Sequence, residues 1–224
     1  MMLHMQQRWD KYSVEEWQAL RTLIEFRSGR DNLVGALEYL GRKSALEVKV
    51  LESDETARVV GLSHDFDEFA GPLVDRLGGR DGIVGYHCAW IKLVEGRRPG
   101  ATAAYIEKEF RKRQRLETDV TYISTALATD FETIDTLVAR SIEMYAPSRI
   151  EVRCAVASRE VMEMKIKGVT MNVHAYFVLP EYGSGHTQNT FGSMLCRLPD
   201  VRQRSTFMPT YVSESALPGL RFGR

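Results

Sequence analysis

The chain has 224 residues, 44% of them hydrophobic, with 30 basic and 30 acidic side chains. That length can bury a sizeable core without disulfides or metals, and a formal net charge of zero gives no electrostatic case for nucleic acid or acidic lipid as a partner. Three widely spaced cysteines, Cys88, Cys154 and Cys196, exclude a disulfide framework and offer no pair at metal-ligand spacing.

Met1–Tyr12 contains no apolar core segment of the kind a signal peptide needs. No run approaches the ~18 apolar residues of a membrane span. The expectation is a flexible N-terminus over 1–12 and a cytoplasmic protein with no membrane partner. Ser13-Val-Glu-Glu16 reads as a capping box, followed by Trp17, Leu20, Leu23 and Ile24 at helical spacing. Asp31 or Asn32 opens a second helix carrying Leu33, Val34, Leu37 and Leu40, which Gly41 closes. Leu46, Val48 and Val50 alternate with charged residues, Asp54-Glu55 turns, and Arg58–Leu62 returns, predicting a hairpin.

Ser63-His-Asp-Phe-Asp67 leads into a helix near 64–77 that Pro72 kinks or restarts. Acidic residues there complement a helix N-terminus, and no further ligands complete a metal set, so no metal is expected. Ile83–Glu95 is a long apolar strand, and Cys88 within it reads as a small buried hydrophobe. Gly96–Gly100 breaks that strand. Thr102–Arg115 is predicted as a helix with a basic end (Lys108, Arg111, Lys112, Arg113, Arg115). Val120–Leu127 is a strand, and Thr129 or Asp130 caps a helix running through Tyr145. Ile150–Val156, Val161–Ile166 and Val169–Leu179 are three closing β segments. On the last, Thr170, Asn172, His174 and Tyr176 form a polar face, either a pocket lining or the solvent side of an antiparallel sheet. Residues 181–224 are rich in turn formers with scattered aromatics and read as an extended arm that docks on a neighbour or on the domain itself. The organisation expected is a single domain over 13–180, α/β or α+β, with a mixed, largely antiparallel sheet flanked by helices.

The best candidate for chemistry is Leu93-Val-Glu-Gly-Arg-Arg-Pro-Gly-Ala-Thr102, read as strand, Arg/Gly loop and helix. Helix N-termini attract anions, and glycine lets a phosphate approach the backbone; the same residues also make an ordinary turn with solvated arginines. The order of elements over about 14–178 resembles the GCN5-related N-acetyltransferases (GNAT). That family's pyrophosphate loop reads Arg/Gln-x-x-Gly-x-Gly/Ala. Here Arg97 and Gly100 match, while Thr102 departs from the last small position. The resemblance implies acetyl-CoA or another acyl-CoA held by Val94, Arg97, Arg98, Gly100, Ala101 and Thr102, and transfer of its acyl group to a small-molecule or protein amine. His87 or Glu95 would accept the amine proton, and Tyr145 would protonate the departing thiolate. Taken on their own, His87 also reads as a buried histidine and Tyr145 as part of an apolar stripe. Two other readings stand beside this one. One is a non-catalytic assembly protein using 181–224 to form homo-oligomers or contact a larger particle. The other is a nucleic-acid module using the basic helix, a reading that the zero net charge weakens.

Overall fold

The computed structural model describes residues 12–25, 30–49, 51, 55–78, 84–95, 102–112, 118–179, 209, 210 and 212. The capping box forms as its residue types dictate. Ser13 Oγ accepts from the Glu16 amide at 3.2 Å, and Glu16 Oε2 accepts from the Ser13 amide at 2.7 Å. Helix α1 (Val14–Glu25) follows, then α2 (Arg30–Leu46). Leu20 and Leu23 of α1 pack with Leu33, Leu37 and Leu40 of α2 against Phe69, Ala126 and Val156.

The predicted hairpin over 46–62 does not form. Helix α2 runs through Leu46, and among the described residues of this segment only Ala57–Leu62 is a strand, β1. Three alternating apolar residues at a helix end are too few to separate a strand from the last helical turn. After β1 comes a single π-helical turn, Phe66–Ala70, and then α3 (Gly71–Arg76) with Pro72 in its first turn, so proline restarts the helix as expected.

Strand β2 (Gly85–Glu95) pairs with β3 (Thr102–Arg111) as an antiparallel hairpin. Thr102–Arg111 was expected to be helical, and this is corrected. Ala104 and Ile106 are half-buried while Ala103, Tyr105 and Glu107 are exposed, so pairing with β2 overrides the helix propensity of Ala, Glu and Lys. Strand β4 (Val120–Ala128) is buried along its whole length. Helix α4 (Phe131–Tyr145) is capped by Asp130 and ends on Ala146 in the left-handed region, φ 44°. Strand β5 (Arg149–Ala157), a short α5 (Arg159–Met162) and β6 (Thr170–Val178) complete the order. The β segment expected at 161–166 is instead α5 and an irregular stretch, because the Ser158 hydroxyl accepts from the Val161 amide and starts a helical turn.

The sheet order is β3-β2-β1-β4-β5-β6. Every neighbouring pair is parallel except β2 with β3. The mixed α/β class with helices on both faces therefore holds, and the largely antiparallel pairing is corrected. The π turn, α3 and Val48 cover one face, over Val59, Tyr86, Cys88, Trp90 and Tyr122. Helix α4 covers the other, over Val60, Ile123, Ile150 and Val152. Of the predicted C-terminal arm, residues 209, 210 and 212 are described. Val212 is fully buried in the first of these clusters, and the Thr210 amide donates to Asp67 Oδ2 at 2.7 Å. Among the described residues, no helix is long and apolar enough to cross a membrane.

Candidate functional site

In a parallel sheet the side-chain-rich connections gather at the carboxyl ends of the strands, and a crevice opens where the strand order reverses. Here the chain steps from β1 to β2 on one side and returns to lay β4 on the other, so the reversal lies between β1 and β4. Two connections meet there: Ser63–Asp65 with the π turn after β1, and Thr129-Asp130 after β4. Isolated π turns are often found at functional sites. This one is squeezed between β1 and α2. A Cβ on Gly61 would sit 2.8 Å from both Ala70 Cβ and Phe66 Cδ2, and one on Gly41 would sit 2.2 Å from the Glu68 carbonyl oxygen. Only glycine permits that approach.

Asp65 is fully buried. Its Oδ2 accepts from the Thr125 hydroxyl at 2.8 Å and the Ala126 amide at 2.6 Å. Because β1 stops at Leu62, the carboxylate stands in for the strand carbonyl that would otherwise pair with Ala126. Its second oxygen, Oδ1, is buried without a hydrogen-bond partner, and so is the hydroxyl of Thr129, just after β4. An unmet buried polar atom costs about 1–3 kcal/mol, so both are places where a ligand atom would be favoured.

The first turn of α4 is capped by its own side chain. The Asp130 carboxylate accepts from the Thr133 amide at 2.9 Å and from the Thr133 hydroxyl. Burial, together with Asp130, Asp135 and Glu160, pushes the Glu132 carboxyl above its ordinary range. The N-terminal partial charge of this helix is thus met in part by its own side chains.

His87 and Tyr145, marked separately in the sequence, meet at the opposite end of the sheet. Tyr145 Oη and His87 Nδ1 are 3.1 Å apart. His87 Nε2 lies 3.2 Å from Glu109 Oε2 without the alignment of a hydrogen bond. Which of Tyr145 Oη and His87 Nδ1 donates is set by the imidazole tautomer. Burial pulls the His87 pKa down to about 4, against the opposing pull of Glu109 and with the help of Arg111, Arg58 and Arg140. Arg140 grips Glu109 through Nε at 3.2 Å and Nη2 at 2.8 Å, which holds that carboxyl below its usual range. The Arg58 guanidinium stacks on the Tyr145 ring, 4.1 Å from its centroid. Glu109 and Arg140 line a groove of about 390 Å³ between β3 and α4, while His87 lies behind it with no exposed surface.

Thr102 pairs with Glu95 at the loop end of the hairpin, next to Val94 with Ala103. Its amide therefore belongs to a strand ladder and not to a helix N-terminus. Arg97, Arg98, Gly100 and Ala101 lie outside the described residues. Cys88 and Cys154 are buried free thiols. Burial raises both pKa values, that of Cys154 to about 12, as expected of structural cysteines; Cys196 lies outside the described residues. Among the described residues, no group of three His, Cys, Asp or Glu side chains is placed to hold a metal ion. The sequence shows Ser63–Asp67 only as a capping segment, and Thr129 only as a helix start. The missing signal is parallel pairing, which brings the ends of β1 and β4 together.

The sheet order and directions define a doubly wound α/β domain with an added antiparallel edge strand. No protein-family model matches the chain, and no curated protein matches it. The chain is similar in structure to the AQ2163 protein from Aquifex aeolicus, with a TM-score of 0.55 and 14% identity over 77% of this chain and 88% of that one. It is also similar to a hypoxanthine phosphoribosyltransferase from Staphylococcus aureus, with a TM-score of 0.41 and 11% identity over 66% and 73% of the two chains. A third is a purine phosphoribosyltransferase from Pyrococcus horikoshii, with a TM-score of 0.38 and 12% identity over 76% and 95%. The Aquifex likeness is one of fold.

These findings correct the acetyltransferase resemblance, and with it acyl-CoA as cofactor and N-acyl transfer to an amine as function. The sheet is mainly parallel, and the expected pyrophosphate loop joins two strands instead of opening a helix.

Proposed function

We propose that this protein binds a phosphoribosyl compound, a ribose phosphate or a nucleotide, in the crevice between the carboxyl ends of β1 and β4. The observation that carries the reading is the pair of buried, unpartnered oxygens, Asp65 Oδ1 and Thr129 Oγ1, on the two sides of the strand-order reversal. A carboxylate oxygen asks for a donor and a threonine hydroxyl offers both roles, which suits vicinal ribose hydroxyls. The Asp130 side chain already occupies part of the α4 N-terminus, and the sequence that joins β2 to β3 offers Arg97 and Arg98 as candidates for the phosphate. Guanidinium–phosphate contacts are charge-assisted and geometrically matched. The Staphylococcus and Pyrococcus proteins are named for phosphoribosyl transfer; the proposal for this chain rests on its own crevice. In this reading His87 and Tyr145 are positioning residues that fix the base of the β2–β3 hairpin through Glu109.

Calorimetric titration with 5-phosphoribosyl 1-diphosphate, ribose 5-phosphate and a purine nucleotide tests the proposal. Saturable binding is expected. Thr129→Val should weaken it by roughly tenfold, the equivalent of one hydrogen bond, and Arg97→Ala with Arg98→Ala by more for phosphorylated ligands than for the free nucleoside. Absence of binding at millimolar ligand overturns it. Pyrophosphate release in the presence of a purine base would extend the reading from binding to transfer.

A further inference from the structure

We infer that Arg153 and His174, on the sheet face shared by β5 and β6, form a second site that takes a phosphate group. The register places Ser124 of β4, Arg153 of β5 and His174 of β6 on one rung. Glu151 and Asn172 occupy the rung before it, beside Tyr122. The neighbouring carboxylate is fully engaged. Glu151 Oε2 is 2.7 Å from His174 Nε2, and Glu151 Oε1 accepts from Asn172 Nδ2 at 3.0 Å and lies 3.6 Å from Arg149 Nε. Arg149 is in turn bound to Glu55 at 2.8 Å.

Arg153 is left over. Among the described residues it has no ion pair and no hydrogen bond, and its Nε is buried without a partner. Arginine cannot shed its charge to relieve this, and the carboxylate on the neighbouring rung, Glu151, is held by His174 and Asn172 and not by Arg153. Such an arrangement gains from an anion. His174 supplies the second feature. Its side chain is 47% exposed, and its Nε2 is committed to Glu151, so Nδ1 is open to a ligand. A carboxylate behind the ring fixes the imidazole orientation, as outer partners do for ligand-binding histidines.

The pair favours phosphate over carboxylate. The guanidinium takes two oxygens in a fork, while a phosphate that keeps one proton can donate its P–OH to Nδ1. A carboxylate held by the same fork has no proton left to give. Free phosphate and the phosphate of a monoester share this chemistry. The site is separate from the crevice, which lies at the ends of β1 and β4, and its test is independent of that reading.

The experiment follows the His174 imidazole resonances by NMR during titration of the full chain with inorganic phosphate and, separately, ribose 5-phosphate. The tighter of the two identifies the source. A saturable shift is expected, with a midpoint raised at least tenfold in Arg153→Met and partly restored in Arg153→Lys. Thr129→Val should leave the titration unchanged. Unfolding curves of each variant establish that it is folded, and His174→Gln identifies the resonance. A non-saturating drift, an unchanged midpoint in Arg153→Met, or loss of the response in Thr129→Val overturns the inference.

Discussion

His87 takes part in folding energetics through a proton it does not bind. Its pKa in the folded protein is about 4, lowered first by burial, whereas an unfolded histidine titrates near its ordinary value of 6.5. As pH falls below about 6.5, the unfolded chain takes up a proton that the folded protein refuses. Stability is therefore full above that value and is lost as pH drops toward about 4, by at most ~1.4 kcal/mol per pH unit for one proton. Glu109 acts in the same direction: its carboxyl is held low chiefly by Arg140, and that stabilisation is lost as it protonates. Urea unfolding between pH 7 and 4.5 should show a declining midpoint, and His87→Gln should flatten the decline between 6.5 and 5. An unaltered slope in the variant would mean that the acid sensitivity arises elsewhere. Both His87 and Tyr145 stand out in the sequence. Their contact, across 58 positions, does not, because it exists only once α4 has carried Tyr145 back to the base of β2.

Among the elements, the π turn at Phe66–Ala70 is held by two close approaches that can be separated by mutation. Gly61→Ala would push a methyl into Ala70 and Phe66, and Gly41→Ala would push one into the backbone of Glu68 and Phe69. Overpacking of this kind costs about 1–3 kcal/mol. Gly41→Ala should be the worse of the two, since backbone cannot swing aside as a side chain can. Gly35 lies in the same helix as Gly41, but a Cβ there meets nothing within 4 Å, so Gly35→Ala should stabilise by about 0.5–1 kcal/mol through helix propensity. Opposite signs for Gly35 and Gly41 in chemical denaturation would establish the close packing; equal signs would refute it. Elements whose signals are local were legible from sequence: the Ser13 capping box, the restart at Pro72, and α4 with its Asp130 cap. Those decided by a partner were not. Thr102–Arg111 carries good helix formers and becomes a strand because β2 offers it an unpaired edge. Val161 begins a helical turn because Ser158 caps it.

At the scale of the molecule, parallel pairing is what creates a site, and it is the property that single-strand patterns conceal. Alternation along β5 and β6 reads as one face of an antiparallel sheet, yet both strands run parallel to β4. Only that direction brings Asp65 and Thr129, separated widely in sequence, to one edge. A ligand bound there should therefore tie together segments that belong to different halves of the chain. At a hundred times its dissociation constant it adds about 2.7 kcal/mol to global stability, which for a chain of this size raises the melting temperature by roughly 5–10 °C. Hydrogen exchange gives the more discriminating readout. With ribose 5-phosphate, protection should rise together in 63–70 and 126–133, the two connections that flank the crevice, because each supplies one of the unpartnered oxygens. Protection confined to β5 and β6 would place the ligand at Arg153 and His174 alone, and the crevice would then be a feature of the fold without a ligand of this class. Protection in both regions, with only the first abolished by Thr129→Val, would show two phosphate-responsive sites on one sheet.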